Sequence, residues 1–350
     1  MKRPPEPAIT TPPLASVITP CYNAAPFVAE TIASVQAQTF PRVEHIVVDD
    51  ASTDDSWQVI QRHSQYVTAI RLPENRGGSH ARNRGAEIAR GEFLMFLDAD
   101  DVIARHTLAA MVAAIRESGD VAVCRWQWLQ QMEGKWQKAP TKVLLPDPAG
   151  DPLRDWLTGR AWAAPCAVLW RREAYDHVGG WDEELTLNDD GDLMMRAILD
   201  GVRLVVAEQG ESFYRSHGSA RLSVSMNAFS EPKLRSQCRV LEKVEATLIE
   251  QGRLTTYADA LGIAYLRTAL LAFRAGSREL GRECRYHGEA LAGRRSIAPT
   301  FAGKVLTFLL GMERKENVAN ALAQAGIATR GRRRALVLRQ KHTGPGESDV

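Results

Sequence analysis

Between residues 15 and 124 short apolar runs alternate with amphipathic stretches. Residues 16–19, 44–48, 67–72, 93–97 and 121–124 have the length and the β-branched or aromatic content of strands. Residues 25–38, 79–90 and 107–117 carry helical spacing, as does the stretch around Trp57, Val59 and Ile60 that follows the capping run Ser52-Thr53-Asp54-Asp55. Pro26 falls near a first helical turn, where its missing N–H costs nothing. Strands alternating with helices of this size predict βαβ units and a mainly parallel central sheet, an α/β class whose ligands bind at the carboxyl ends of strands. Residues 125–225 are more mixed, with a hairpin over 126–136 around Glu133-Gly134, a strand over 163–170, a helix over 189–200 and a strand over 202–206. Beyond 228 the pattern turns to long helical segments at 231–252, 255–275, 277–292 and 301–325. The expected organisation is a flexible leader (1–14), an α/β domain (15–227), a helical C-terminal region (228–329) and a basic, disordered tail (330–350).

Polar residues gather where the predicted strands end. Pro20, Tyr22 and Asn23 follow the first strand, Asp49 and Asp50 the second, and the fourth runs as FLMFLDADD into Asp98, Asp100 and Asp101. A continuous apolar run fits a strand covered on both faces. Three carboxylates at its end repel one another unless something positive sits among them. A solvated acidic turn, with Asp101 capping the next helix, is the plain alternative.

Composition narrows the field. The chain has 350 residues, 45% of them hydrophobic, and 44 basic against 42 acidic groups leave a formal charge of +2. That length supports a sizeable core, and near-neutrality gives no reason to expect nucleic acid. Five cysteines, at 21, 124, 166, 238 and 284, form no C-x-x-C pair, so they read as reduced thiols of a cytoplasmic protein and not as a zinc site or disulfide framework. The opening MKRPPEPAITTPP lacks the apolar core of a signal peptide. The longest apolar stretch, 261–273, is broken by Arg267, which predicts a soluble or at most peripheral protein.

Seven motifs in order carry a resemblance: SVITPCYN (16–23), VVDDASTD (47–54), NRGGSHARNRG (75–85), GEFLMFLDADD (91–101), GGWDEEL (179–185), NDDGDLMMR (188–196) and YRSHGSARLS (214–223). The first 225 residues resemble a family 2 glycosyltransferase with the nucleotide-sugar-binding GT-A fold; the last 120 or so residues lie outside the resemblance. The resemblance implies an inverting, hexosyltransferase-type enzyme that uses a nucleotide-diphosphate sugar, a UDP-sugar foremost. It implies a saccharide or lipid-linked acceptor and a role in cell-surface polysaccharide or glycolipid synthesis.

It also implies residue roles. Pro20, Tyr22 and Asp50 contact the base, and Arg82 pairs with the diphosphate or ribose. Asp98-Ala99-Asp100 is the D-x-D motif: Asp100 is the direct ligand of Mn²⁺ or Mg²⁺, and Asp98 touches the ribose or acts through water. Hard oxygen ligands and shared phosphates suit these ions. In the acidic cluster at 188–192, Asp190 occupies the place of the general base, with Asp189 the alternative. Here Asp189 replaces the usual Glu, and Gly191 stands where an aromatic is common. Asp192 reads as a capping or structural residue. Trp181 and Asp182 are candidates for the floor under the acceptor or donor sugar. His217 is a candidate for the metal or diphosphate, with Arg215 and Arg221 as other phosphate contacts.

The helical region is open to three readings: packing on the catalytic core, shaping the acceptor site, or forming a homodimer. Its apolar stretch 301–310 and the RGRRR run downstream could instead touch an anionic membrane at the inner face of the cell membrane, although a core helix plus a solvated basic tail explains them as well. Two rivals remain. A sugar nucleotidylyltransferase needs a Gly-rich basic loop after the first strand, where this chain has Pro20-Cys21-Tyr22-Asn23. A catalytically degenerate nucleotide-sugar-binding or membrane-associated scaffold would have no use for Asp98, Asp100 and Asp190 together.

Overall fold

The computed structural model describes residues 14–132, 134–139, 144–216, 230–293 and 311–317. The chain falls into two compact units divided between Ser216 and His217.

The first unit is an α/β unit around one mixed sheet. Its elements in order are β1 (Ala15–Cys21), α1 (Val28–Gln36), β2 (Val43–Asp49), α2 (Ser56–Arg62), β3 (Thr68–Arg71), α3 (Gly78–Ile88), β4 (Phe93–Phe96), β5 (Val102–Ile103), α4 (Thr107–Ser118), β6 (Val121–Met132), β7 (Lys135–Lys138), α5 (Pro152–Thr158), a 3-10 turn (Pro165–Ala167), β8 (Val168–Arg171), α6 (Arg172–His177), α7 (Asp189–Leu199) and β9 (Leu204–Ser216). The strands lie in the order β3-β2-β1-β4-β8-β6-β9-β5, with β7 paired to β6. β3, β2, β1 and β4 run parallel, as do β6 and β9, while β8 inserts antiparallel between β4 and β6. The longest ladders are therefore the parallel ones, as the alternation of strands and helices predicts.

Burial explains the apolar runs. Residues 93–97 are buried throughout, because β4 is interior to the sheet and covered on both faces. Cys21, Ala24, Val28, Ile32, Val47 and Ile60 form a cluster that seats α1 and α2 on the sheet. The parallel register of β1, β2 and β4 brings Cys21, Asp49 and the turn after Phe96 to the same edge, so the first, second and fourth strand ends meet there.

Several elements differ from the sequence pattern. The run 121–124 and the first arm of the expected hairpin are one strand, β6, with a register shift between Cys124 and Arg125; the hairpin does turn at Gly134. The expected strand over 163–170 begins only at Val168, because Pro165 opens a 3-10 turn instead. β5, α5 and α6 are additional. Asp101 caps no helix: α4 starts at Thr107.

The second unit contains α8 (Glu231–Glu250), α9 (Leu254–Ala275) and α10 (Arg278–Ala292), and residues 311–317 are also helical. The remainder of the expected helix 301–325, the leader and the basic tail lie outside the described residues. All five cysteines are buried free thiols, and those of Cys238 and Cys284 meet at 2.6 Å between α8 and α10. Among the described residues no helix is long and apolar enough to cross a membrane.

Candidate functional site

Asp50 follows β2 and is buried. Its two carboxylate oxygens accept the backbone N–H groups of Arg76 and Gly77 at 2.9 and 2.8 Å, and its carbonyl accepts from Asn75. The carboxylate thus holds the glycine loop that leads into α3. Tyr22, just beyond β1, is 44% exposed and leaves its ring free for a partner, while Pro20 lies within β1 opposite Val48. Asn23 closes the same edge: its side-chain oxygen accepts from the N–H groups of Thr53 and Asp54.

The centre of the site is Arg82. Its guanidinium donates from Nη2 to Asp98 at 2.6 Å and from Nη1 to Asp189 at 3.1 Å, and it lies 4.4 Å from the centroid of the Trp181 ring. One buried cation therefore joins the acidic end of β4 to the acidic start of α7, two motifs that the sequence separates by about ninety residues. Burial opposes the charge on Arg82, but Asp98 and Asp189 outweigh it and raise its pKa. The Ser79 hydroxyl adds a third tie by donating to Asp189 at 3.0 Å. Arg82 was expected to meet diphosphate or ribose; here both terminal nitrogens are engaged by carboxylates, and the buried Nε has no hydrogen-bond partner among the described residues.

The three aspartates after β4 differ. Asp98 is desolvated and its pKa is raised, although Arg82 works against that shift. Asp101 is buried, its pKa pushed well up by desolvation and then by Asp100 and Asp98, and one of its oxygens accepts the Arg215 N–H at 2.8 Å. Arg215 itself is buried: it donates to the Asp100 carbonyl at 2.7 Å, pairs with Glu30 and lies over the rings of Phe27 and Trp136. It braces the acidic turn from below, which replaces its expected role as an open phosphate contact. Asp100 is half-buried. Among the described residues no three His, Cys, Asp or Glu side chains gather to hold a metal by themselves. Asp98 and Asp100 present hard oxygen donors of the kind that Mn²⁺ and Mg²⁺ take.

α7 opens at Asn188, which takes a left-handed conformation with φ of 62°. Its side chain folds over Gly191, where a Cβ would fall 2.1 Å from the Asn188 oxygen. The missing side chain at 191 thus lets Asn188 close the turn. Asp192 is buried and pairs with Arg196 at 2.8 Å; Arg196 also donates to the carbonyls of Val178 and Gly180, so this pair fixes the glycine turn before Trp181. Asp189 is bound by Ser79 and Arg82. Asp190 instead lines a small pocket together with Phe96, Trp156, Trp170, Trp181 and Met194. Desolvation, and then the charge of Asp189, push its carboxyl up to about 7.

Asn83 grips Trp181 from both sides, accepting its backbone N–H at 3.0 Å and donating to its carbonyl at 2.9 Å. Asp182 is half-buried and accepts the Glu184 N–H. His217 and Arg221 lie outside the described residues. The sequence reading missed the tie of Ser79 to Asp189, the 2.8 Å contact of His80 with Glu183, the bracing role of Arg215 and the contribution of Trp156. Only a signal in the sequence for α5 could have brought Trp156 forward: Asp151 caps that helix through the Arg154 N–H, with Pro152 in its first turn.

Comparison with known proteins bears on the family and the fold. Residues 16–179 match the family model described as glycosyl transferase family 2. The chain is 30% identical over 233 residues to the uncharacterized glycosyltransferase alr2836 of a Nostoc species, covering 64% of this chain and 71% of that protein. It is 36% identical over 164 residues to the uncharacterized glycosyltransferase YibD of Escherichia coli; that match covers 44% of this chain and spans about half, 46%, of the relative's length. Among solved structures, Staphylococcus aureus TarS 1–349 in complex with UDP-GlcNAc superposes with a TM-score of 0.55 at 21% identity, covering 80% of this chain and 89% of that one. The mannosyltransferase PcManGT of Pyrobaculum calidifontis, in complex with GDP-Man and Mn²⁺, gives 0.51 at 21% identity, covering 89% and 88%. At that identity the structural likeness speaks for the GT-A fold alone. The motif order, the family model and the extended match to alr2836 together establish that the chain belongs to glycosyltransferase family 2.

Proposed function

We propose that the protein is an inverting glycosyltransferase that moves a hexosyl group from a nucleotide-diphosphate sugar, a UDP-sugar foremost, to a hydroxyl of a saccharide or lipid-linked acceptor in cell-surface polymer or glycolipid synthesis. The observation that carries this reading is the division of labour between neighbours: Asp189 is tied to Arg82 and Ser79, while Asp190 lines the pocket under Trp181.

In this mechanism Tyr22 offers its exposed ring to the base, beside Pro20. Asp50 shapes the loop at 75–77 and presents its remaining lone pairs to a base N–H. Asp100, with Asp98 beside it, would hold Mn²⁺ or Mg²⁺ jointly with the donor's phosphates; such an ion supplies Lewis-acid neutralisation of the departing diphosphate. His217 is a further candidate for the metal or the diphosphate. Trp181 and Asp182 form the floor beneath the sugar. Asp190 accepts the proton of the acceptor hydroxyl as that oxygen bonds to the anomeric carbon, while the bond from carbon to diphosphate oxygen breaks on the opposite face. The configuration inverts. A carboxylate with a pKa near 7 suits this work, because it is basic enough to take a proton yet ionised in useful amount at neutral pH. Five buried cysteines without a C-x-x-C pair support a cytoplasmic setting for this work.

The test is binding and hydrolysis of UDP-, GDP- and dTDP-sugars with and without Mn²⁺. One donor should bind in a metal-dependent way, and Asp100→Ala should abolish that dependence. If no nucleotide sugar binds with the metal present, the transferase reading fails and a scaffold role takes its place.

A further inference from the structure

Four aromatic rings on one face of the sheet have no part in the chemistry above. Trp126 and Trp128 are two apart on β6 and so share a face; Tyr214 is level with Trp128 on the neighbouring β9. Trp162 completes the group. The rings meet edge to face: Trp126 and Trp162 at 4.5 Å between centroids, Trp128 and Tyr214 at 4.9 Å, and Trp126 and Trp128 at 5.3 Å. Trp126 is buried beneath, while Trp128, Trp162 and Tyr214 are half-buried and keep part of their surface in solvent.

The cluster is joined to the site by one segment of chain. Trp126 donates its indole N–H to the Trp162 carbonyl at 3.3 Å, and Ser212, on the same face of β9 as Tyr214, donates to the Cys166 carbonyl at 2.7 Å. The segment 162–168 is thus fixed to the aromatic face. Its Ala163, Pro165 and Val168 line the pocket that contains Asp190. Segment 162–168 thus carries both Trp162 of the aromatic cluster and three residues of the Asp190 pocket. Burial raises the pKa of the Tyr214 phenol, and the charges of Asp101, Asp98, Asp100 and Asp190 add to the shift.

We propose that Trp128, Trp162 and Tyr214 form an acceptor subsite for a pyranose-containing glycan, an aromatic wall that takes the C–H face of a sugar ring and leads one of its hydroxyls toward Asp190. This rests on the transferase reading for the role of Asp190. The chemistry follows from the surfaces. A pyranose ring has an apolar C–H face and polar edges, and rigid, amphipathic rings beside a few polar groups recognise such a ligand at little entropic cost. An acyclic polyol phosphate offers no such face, and its charge would meet the carboxylates around the site.

The test pairs two titrations on the full chain. UDP with Mn²⁺ reports the donor site. Maltotriose, cellotriose and chitotriose, with ribitol phosphate as the acyclic control, report the wall through tryptophan fluorescence and saturation-transfer NMR. At least one trisaccharide should bind, and Trp128→Ala and Trp162→Ala should each weaken it about tenfold or more, while UDP affinity stays within twofold, about the loss expected for truncating an aromatic anchor. Trp128→Phe, which keeps a ring, guards against misfolding and should retain most of the binding. The proposal is overturned if the alanine variants bind the trisaccharide as tightly as the wild type, if ribitol phosphate alone binds, or if no trisaccharide binds to a chain that binds UDP. Trisaccharide binding without UDP binding would sink the transferase reading and leave the wall standing.

Discussion

At the carboxyl ends of β1, β2 and β4 the chain buries charge; between α9 and α10 it buries none. The first region holds Arg82, Asp50, Asp101 and Arg215 under the surface, each with partners from distant segments. In the second, the buried positions of α9 are Ala, Gly, Leu, Tyr, Thr and Phe, and those of α10 are Leu280, Gly281, Cys284 and Gly288. There the helices approach closely: a Cβ on Gly262 would lie 2.5 Å from the Ala292 Cβ and 2.9 Å from the Gly288 carbonyl. Apolar packing of this sort serves stability and is indifferent to which partner charge is present. Buried charge is costly unless paired, and replacing such pairs by apolar groups is often neutral or stabilising. A region that keeps so many of them is organised around a task other than stability.

Substitutions can break this contrast. Asp190→Asn should lower turnover by about 10²–10⁴-fold with little effect on melting temperature, read by steady-state transfer beside a thermal melt. A large loss of stability instead would return Asp190 to the structural class. Arg82→Ala leaves Asp98 and Asp189 facing each other without their shared cation, and should cost about 3–5 kcal/mol in urea unfolding. Lysine at 82 should recover only part of this, since it cannot span both carboxylates in the guanidinium's fixed geometry. Gly262→Val should cost about 1–3 kcal/mol through overpacking of α9 on α10. It should leave donor affinity unchanged, and loss of both would blur the contrast. The smallest effect belongs to an exposed pair. Arg203 donates to both oxygens of Asp120 from a largely solvated position, so Asp120→Asn should change stability by at most about 1 kcal/mol. Those bonds hold the Asp120 carboxyl below its usual range, so this small contribution is present at neutral pH and fades as pH falls through that lowered pKa.

The same contrast explains what could be read from the sequence. Buried strands such as 93–97 and the long helices announce themselves by hydrophobic period, since each residue's burial is set by its local element. α6 starts directly at Arg172, at the end of β8 with no turn residue between, and β5 is two residues long, so neither leaves a periodic trace. The strand-end motif at 98–101 and the acidic cluster at 188–192 brought Asp98, Asp189 and Asp190 forward as candidates. Their pairing could not be read, because Arg82 meets Asp189 across 107 positions through tertiary packing alone. Likewise Asp50 reads in sequence as a contact of the base, and only the return of the loop at 75–77 shows that its oxygens receive Arg76 and Gly77.

The central claim is that Asp190 accepts the acceptor's proton, and the pH dependence of kcat/KM tests it most directly. Because this quantity reports the free enzyme, and Asp190 must be ionised to act, activity should rise with pH through an acidic limb centred near 7, with that limb absent from the residual activity of Asp190→Asn. A limb at the ordinary carboxylate value near 4, or the same limb persisting in Asp190→Asn, would contradict the account.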